Sequence, residues 1–161
     1  MTISVQAQVL NSQSLASFRS VFTTLPIPVV ASVAGTHHSE FVGPWWLRQI
    51  AGPGLAPLGL GGWWGKQFDA QGEGMNIVHR RGQLATIMPI ELVEMTSLID
   101  GRMGLAVTYP PGSRFPWPWV MDELRRIDNN CLLGMTLFIK RPLNIIALPF
   151  LLHAREMPDG F

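Results

Sequence analysis

Leu60-Gly61-Gly62-Trp63-Trp64-Gly65-Lys66-Gln67-Phe68-Asp69 decides how the rest of the chain is read. Its two tryptophans can bury a large apolar area, and its three glycines let other backbone come close. Lys66 places one charge in the middle. The pattern predicts a strand that opens a small β-structure, with the Trp pair facing a core or a pocket. Glycines inside a strand mark a bulge, a sharp bend or a close backbone approach, which a tightly curled barrel requires.

Downstream, Asp69 to Gly74 is a polar turn, Asn76 to Arg80 a short strand and Arg81-Gly82 a second turn. Leu84 to Leu98 is β-prone, with Ile90, Leu92 and Glu94 on one face and Glu91, Val93 and Met95 on the other. Pro89 predicts an edge or a bend. Asp100-Gly101 fits a hairpin that returns through Met103 to Tyr109. Pro110 to Ser113 breaks the chain, and Phe115-Pro116-Trp117-Pro118-Trp119 can be neither a central strand nor a helix interior. Met121 to Asp128 reads as a charged strand or a helical turn. Cys131 to Ile139 and Ile146 to Arg155 read as the last two strands.

Upstream, residues 1–11 read as a polar tail. Leu15, Phe18, Phe22 and Leu25 recur at helical spacing, predicting a helix from Ser14 to Leu25 that Ser12 or Ser14 caps and Pro26 and Pro28 stop. Val29 to Ala34 is a short apolar, β-branched run. Trp45 to Ile50 makes one or two helical turns. Ala51 to Gly61, rich in Gly and Pro, reads as a loop long enough to be a lid or rim. Together these elements predict a mainly β (α+β) chain: one domain over 1–161, with a tail and helix over 1–28 and an antiparallel, lipocalin-like β-barrel with loops over 29–161. Eight or so strands would enclose room for one small ligand.

Charged residues make up 14% of the chain, against about 25% in a typical domain. The surplus of Trp, Phe and Met suits a cavity lining or a homodimer interface. A formal net charge of +1 gives no electrostatic reason to expect a nucleic-acid partner. Cys131 is the single cysteine, so no intrachain disulfide forms. Met1 to Gln6 has neither the basic nor the apolar region of a signal peptide, and Leu143 to Ala154 is too short for a spanning helix. The expectation is a cytoplasmic protein with no membrane span.

Gly62-Trp63-Trp64-Gly65-Lys66-Gln67-Phe68 resembles the Gly-Trp-aromatic-Gly-Lys-Arg-Phe run of the GXWXG family of small proteins, in which a second conserved region of unknown function usually follows. Leu25-Pro26 at the end of the first helix, Leu92-Val93-Glu94, the Met121 to Asp128 run and Leu133-Gly134-Met135 are similar to further family features. At the family's naming Gly-x-Trp-x-Gly this chain has Gly35-Thr36-His37-His38-Ser39, and Pro110 replaces an acidic residue after Tyr109. The resemblance implies a compact lipocalin-like barrel, with a pocket re-tooled for a different ligand, and no established reaction.

Among candidate reactive groups, His37 and His38 beside Glu40 can move a proton near neutrality. Strand alternation lets only one of them face a cavity, and either could equally be a structural histidine. The other histidines, His79 and His153, show no metal-ligand spacing. Lys66 is either a pocket cation, paired with Glu94 or Asp122, or a snorkelling surface residue. Glu94 and Asp122 sit in apolar sequence and could act as acid and base, or make structural ion pairs with Arg102, Arg125 or Arg126. Trp45, Trp63, Trp64, Phe68, Tyr109, Trp117 and Trp119 could line or rim the pocket, or simply fill the core. No phosphate loop or serine nucleophile motif is present.

Two functions follow. One is a cofactor-free isomerase or cyclase of specialised metabolism, in which the barrel folds a hydrophobic substrate and His37 or His38, Glu94, Asp122 and Lys66 shift protons. The alternative is a non-catalytic carrier for a hydrophobic small molecule. The nearness of ionisable groups to the Trp-rich stretches, and His37 in place of a family Trp, favour the enzyme. An interaction protein displaying Trp117-Pro118-Trp119 is a third, weaker reading.

Overall fold

The computed structural model describes residues 3–156. Eight strands, β1 (Gly35–Phe41), β2 (Trp63–Phe68), β3 (Glu73–Arg80), β4 (Gln83–Thr96), β5 (Met103–Thr108), β6 (Val120–Asp128), β7 (Cys131–Phe138) and β8 (Ala147–Ala154), pair in chain order. Every pairing is antiparallel, and β8 returns to β1, so the sheet closes into the expected antiparallel barrel with helical decoration. Closure leaves no free sheet edge. The Trp-rich stretch is the second strand rather than the first, because the His37-His38 segment pairs between it and β8.

Alternation divides the strands into two apolar layers. Val120 and Leu124 of β6, Leu132 of β7 and Leu152 of β8 point into the barrel with Phe68, Leu92, Leu105 and Val107. Met121, Leu133, Met135 and Leu151 point outward, where Phe18 and Phe22 cover them. Those phenylalanines belong to α2 (Leu15–Thr24), which Ser14 caps by accepting from the Ser17 amide. This is the predicted N-terminal helix. Met121 to Asp128, read as a charged strand or a helical turn, lies in strand β6.

The described part of the expected tail contains a helix, α1 (Val5–Leu10), which buries Ala7 and Leu10 against the same outer layer. Six residues are too few to show a helical period, but Ser4 supplies the N-cap. Val30–Val33 forms a 3-10 turn, not an extended run, and drops Val33 into the barrel interior. Helix α3 (Trp45–Leu55) runs on through Gly52-Pro53 into the region read as loop. Pro53 falls in the last turn and removes one intrahelical bond, the one to the Gln49 carbonyl.

Two bulges shape the barrel. Met75 pairs with Pro89 and Asn76 with Ile87, so Met88 is the extra residue, at φ +55°. Pro89 sits where no ladder donor is needed. The second bulge falls between Trp63 and Gly65. A Cβ at Gly65 would collide with the backbone of His37, so only glycine lets β1 and β2 lie this close.

Candidate functional site

The bulge at Trp64 sets the site. Plain alternation would place Trp64, Lys66 and Phe68 on one face and Trp63 on the other. The extra residue instead turns Trp63 inward alongside Lys66 and Phe68, and Trp64 outward, where its ring lies 4.5 Å from that of His38. Trp63 thus lines a cavity of about 280 Å³ at the barrel end that α3 covers. Leu47, Ile50 and Leu55 of α3 form its roof, and Phe150, Phe138 and Trp117 complete its apolar walls. A wider hollow of about 650 Å³ lies over Gln67, Glu73 and Glu91, but it is an open surface groove.

The polar groups of the cavity meet at one place. Lys66 Nζ donates to Asn76 Oδ1 at 2.9 Å and to Tyr109 Oη at 3.1 Å, and lies 3.2 Å from Asp122 Oδ2. Asp122 Oδ1 accepts from Thr136 Oγ1 at 2.7 Å. Asn76 Oδ1 also accepts from the Trp63 indole, and its amide donates to the Met88 carbonyl exposed at the other bulge. Lys66 and Asn76 are register partners, as are Asp122 and Thr136, so two cross-strand pairs face each other across the interior. The ammonium also lies 5.2 Å and 5.4 Å from the ring centres of Trp63 and Tyr109, favourable for a desolvated cation.

Burial pulls the Lys66 ammonium below the ordinary lysine range, and the Asp122 carboxylate pulls it partly back. Burial, reinforced by Asp122, pushes the Tyr109 phenol well above its usual value. Tyr109 therefore remains a proton donor throughout the physiological range. Its ring packs on Trp117 at 4.9 Å, and the Trp117 indole donates to the Leu58 carbonyl at 2.7 Å.

The structure gathers Lys66, Asp122, Tyr109, Trp63 and Trp117 at the cavity and places the other expected residues elsewhere. His37 points inward near the opposite end, donating from Nε2 to the Val33 carbonyl at 2.8 Å. Its Nδ1 is buried without a partner, and burial holds its pKa down. His38 faces outward and donates from Nδ1 to the Trp64 carbonyl, its pKa likewise lowered by burial. Glu94 stands exposed near the far end of β4, beyond the interior layers. Phe68 lies deeper in the apolar interior than the cavity. Trp45 is 70% exposed on the outer side of α3. Trp119 is exposed and packs edge-on against Phe115, because the turn Trp117–Trp119 sends alternate rings in and out.

Asn76 and Thr136 were not expected at the site. A lone Asn two residues before inward-facing Val78 was the available signal for the first. Thr136 becomes visible only once its partner across the ladder is known. Among the described residues, no group of three His, Cys, Asp or Glu side chains could hold a metal ion.

No protein-family model matches the chain, and no curated protein matches it. A crystal structure of a protein from Thermomonospora curvata is similar over 94% of this chain and 96% of that one, with a TM-score of 0.69 and 17% identity. That likeness shows the fold.

Proposed function

We propose that the barrel binds a hydrophobic small molecule beneath α3 and catalyses proton transfer on it, as in an isomerisation or cyclisation, with its own side chains as acid and base. One observation carries this: the otherwise apolar cavity holds a buried cation, carboxylate and phenol in mutual contact. In the reaction, Asp122 takes a proton from carbon next to a ligand carbonyl. The Tyr109 hydroxyl, polarised by Lys66, donates to the carbonyl oxygen as negative charge develops there. Where a C=C adjoins that carbon, Asp122 then returns the proton at the far carbon of the double bond, which moves the double bond into conjugation with the carbonyl and completes the shift. The family resemblance around Gly62 to Phe68 is compatible with a small-molecule barrel and names no reaction.

The alternative is a carrier. Lys66 already has three acceptors within the protein, which suits a ligand held by apolar contact alone. The discriminating experiment incubates the protein with apolar cyclic ketones in D₂O and follows deuterium uptake by mass spectrometry. Proton-transfer catalysis gives exchange above buffer that Asp122→Asn abolishes and that His37→Ala, His38→Ala and Glu94→Gln retain. Ketones that bind by native mass spectrometry yet exchange no faster than in buffer establish the carrier instead.

A further inference from the structure

The barrel's two ends differ sharply in charge. In an antiparallel barrel of this order, the β1–β2, β3–β4, β5–β6 and β7–β8 connections share one end. These are residues 42–62, 81–82, 109–119 and 139–146, and they carry Arg48, Arg81, Arg114, Lys140 and Arg141 but no Asp or Glu. Arg80, the last residue of β3, adds a sixth cation. At the other end, residues 69–72, 97–102 and 129–130 carry Asp69, Asp100 and Arg102.

The cationic end is also the greasy one. Trp45 and Ile50 of α3, Phe115, Trp119, Ile139 and Ile145 are all exposed there, Ile145 by 75% and Trp45 by 70%. Hydrogen bonds weld the connections into one face. Arg114 donates to the Pro57 carbonyl, Arg80 to the Gly59 carbonyl, and the Ile139 amide to the Trp119 carbonyl. Lys140 Nζ lies 5.4 Å from the centre of the Trp119 ring. The cavity lies directly behind, since Ile50 and Pro116 from these segments and Phe138 at the adjoining end of β7 line it.

Protruding Trp, Phe and Ile ringed by Arg and Lys, with no acid among them, match the layered chemistry of a bilayer surface. Aromatic and aliphatic groups partition to the acyl boundary while cations meet anionic headgroups. We propose that this end of the barrel docks on the surface of an anionic phospholipid bilayer. The docking stands on the composition of the face alone. That an apolar ligand passes between bilayer and cavity through it rests on the binding reading given above.

The test is co-sedimentation of the full chain with vesicles of phosphatidylcholine alone and of phosphatidylcholine mixed with phosphatidylglycerol. Binding to the mixed vesicles only, weakening as salt rises, is expected. Lys140→Ala with Arg141→Ala should weaken it about 30-fold, and Trp45→Ser with Phe115→Ser at least about tenfold. All four side chains are exposed, so circular dichroism should report an unchanged fold. Lys66→Met with Asp122→Leu, which disarms the cavity, should dock like the parent, so failure of the cavity reading leaves this result standing. No sedimentation with mixed vesicles at low salt overturns the proposal, as does binding indifferent to both rim variants. A dimer in solution that these rim substitutions dissociate, without vesicle binding, assigns the face to a second copy and also overturns it.

Discussion

Lys66 of β2 and Asp122 of β6 meet 3.2 Å apart inside the barrel, although their strands are four apart on the ring in either direction. The pair therefore spans the interior. Phe68 and Leu124, two residues further along the same strands, belong to the apolar layer below. Lys66 and Asp122 thus form the floor of the cavity as well as its only ion pair among the described residues.

A buried pair of this kind loses several kcal/mol of hydration per ion, and mutual attraction repays that cost only when both partners are present. Lys66→Met alone, or Asp122→Leu alone, should lower the unfolding free energy by about 3–5 kcal/mol. The double variant, with an apolar floor, should recover most of that loss. Urea denaturation of the four proteins checks it. Full recovery of stability without deuterium exchange would mean that the charges serve chemistry rather than folding.

The pH profile of exchange should identify the group that loses its proton at high pH. Burial lowers the Lys66 pKa and raises that of Tyr109, so as pH rises Lys66 becomes neutral first. The cation that stabilises developing negative charge is then lost. Exchange should fall at a pH below the ordinary lysine value of about 10.4. Tyr109→Phe should lower the rate and keep the limb, whereas Lys66→Arg should move it upward, because guanidinium does not deprotonate.

Much of the barrel was legible in turn dipeptides and alternation. Asp100-Gly101, Arg81-Gly82 and Asp128-Asn129-Asn130 mark hairpin ends, and the inward and outward sets of β4 read directly from residues 90–93. The site was legible in part. Lys66 with Asp122 was one of two pairings open to Lys66. Which tryptophan faces inward was not readable, because a bulge reverses alternation and depends on how β3 pairs. The histidines drew attention by chemistry, yet His38 sits on the outward face, and His37 lies away from the cavity with Nε2 tied to a carbonyl four residues earlier. The charge asymmetry between the barrel ends was invisible as well, since its cations are far apart in sequence and converge only on closure.

Acid should loosen the clamp between α2 and the barrel. Arg125 is buried, pairs with both Asp100 oxygens at 2.9 Å and 3.1 Å, and lies 4.4 Å from the centre of the Phe22 ring. The guanidinium holds the Asp100 carboxyl well below the usual range. A carboxylate with a depressed folded pKa contributes stability that is complete above its unfolded value of about 3.9 and lost as pH falls below it. Glu123 has the opposite sign: burial raises its pKa, so its protonation relieves strain as pH falls. Urea midpoints measured from pH 7 down to pH 3 should therefore drop below about pH 4. Asp100→Asn should flatten that drop, and Glu123→Gln should remove a gain in stability that the parent protein shows above about pH 4.3, where this carboxyl takes up its proton.

Gly134 and Phe150 are partners across β7 and β8, and the Phe150 ring lies directly over the glycine. A Cβ at position 134 would fall inside contact distance of three atoms of that ring. Gly134→Ala must therefore displace Phe150, whose ring also packs in an edge-to-face arrangement with Trp63, their centres 5.4 Å apart. The expected cost is about 1–3 kcal/mol, as for other overpacked cores. Because Phe150 and Trp63 both line the cavity, ligand binding should weaken together with stability. Phe150→Leu in the Gly134→Ala background should restore the urea midpoint by clearing the overlap, without restoring the aromatic wall. A Gly134→Ala protein with parental stability and parental ketone affinity would show that the ring has room to move, and that glycine at this position is not what seats it.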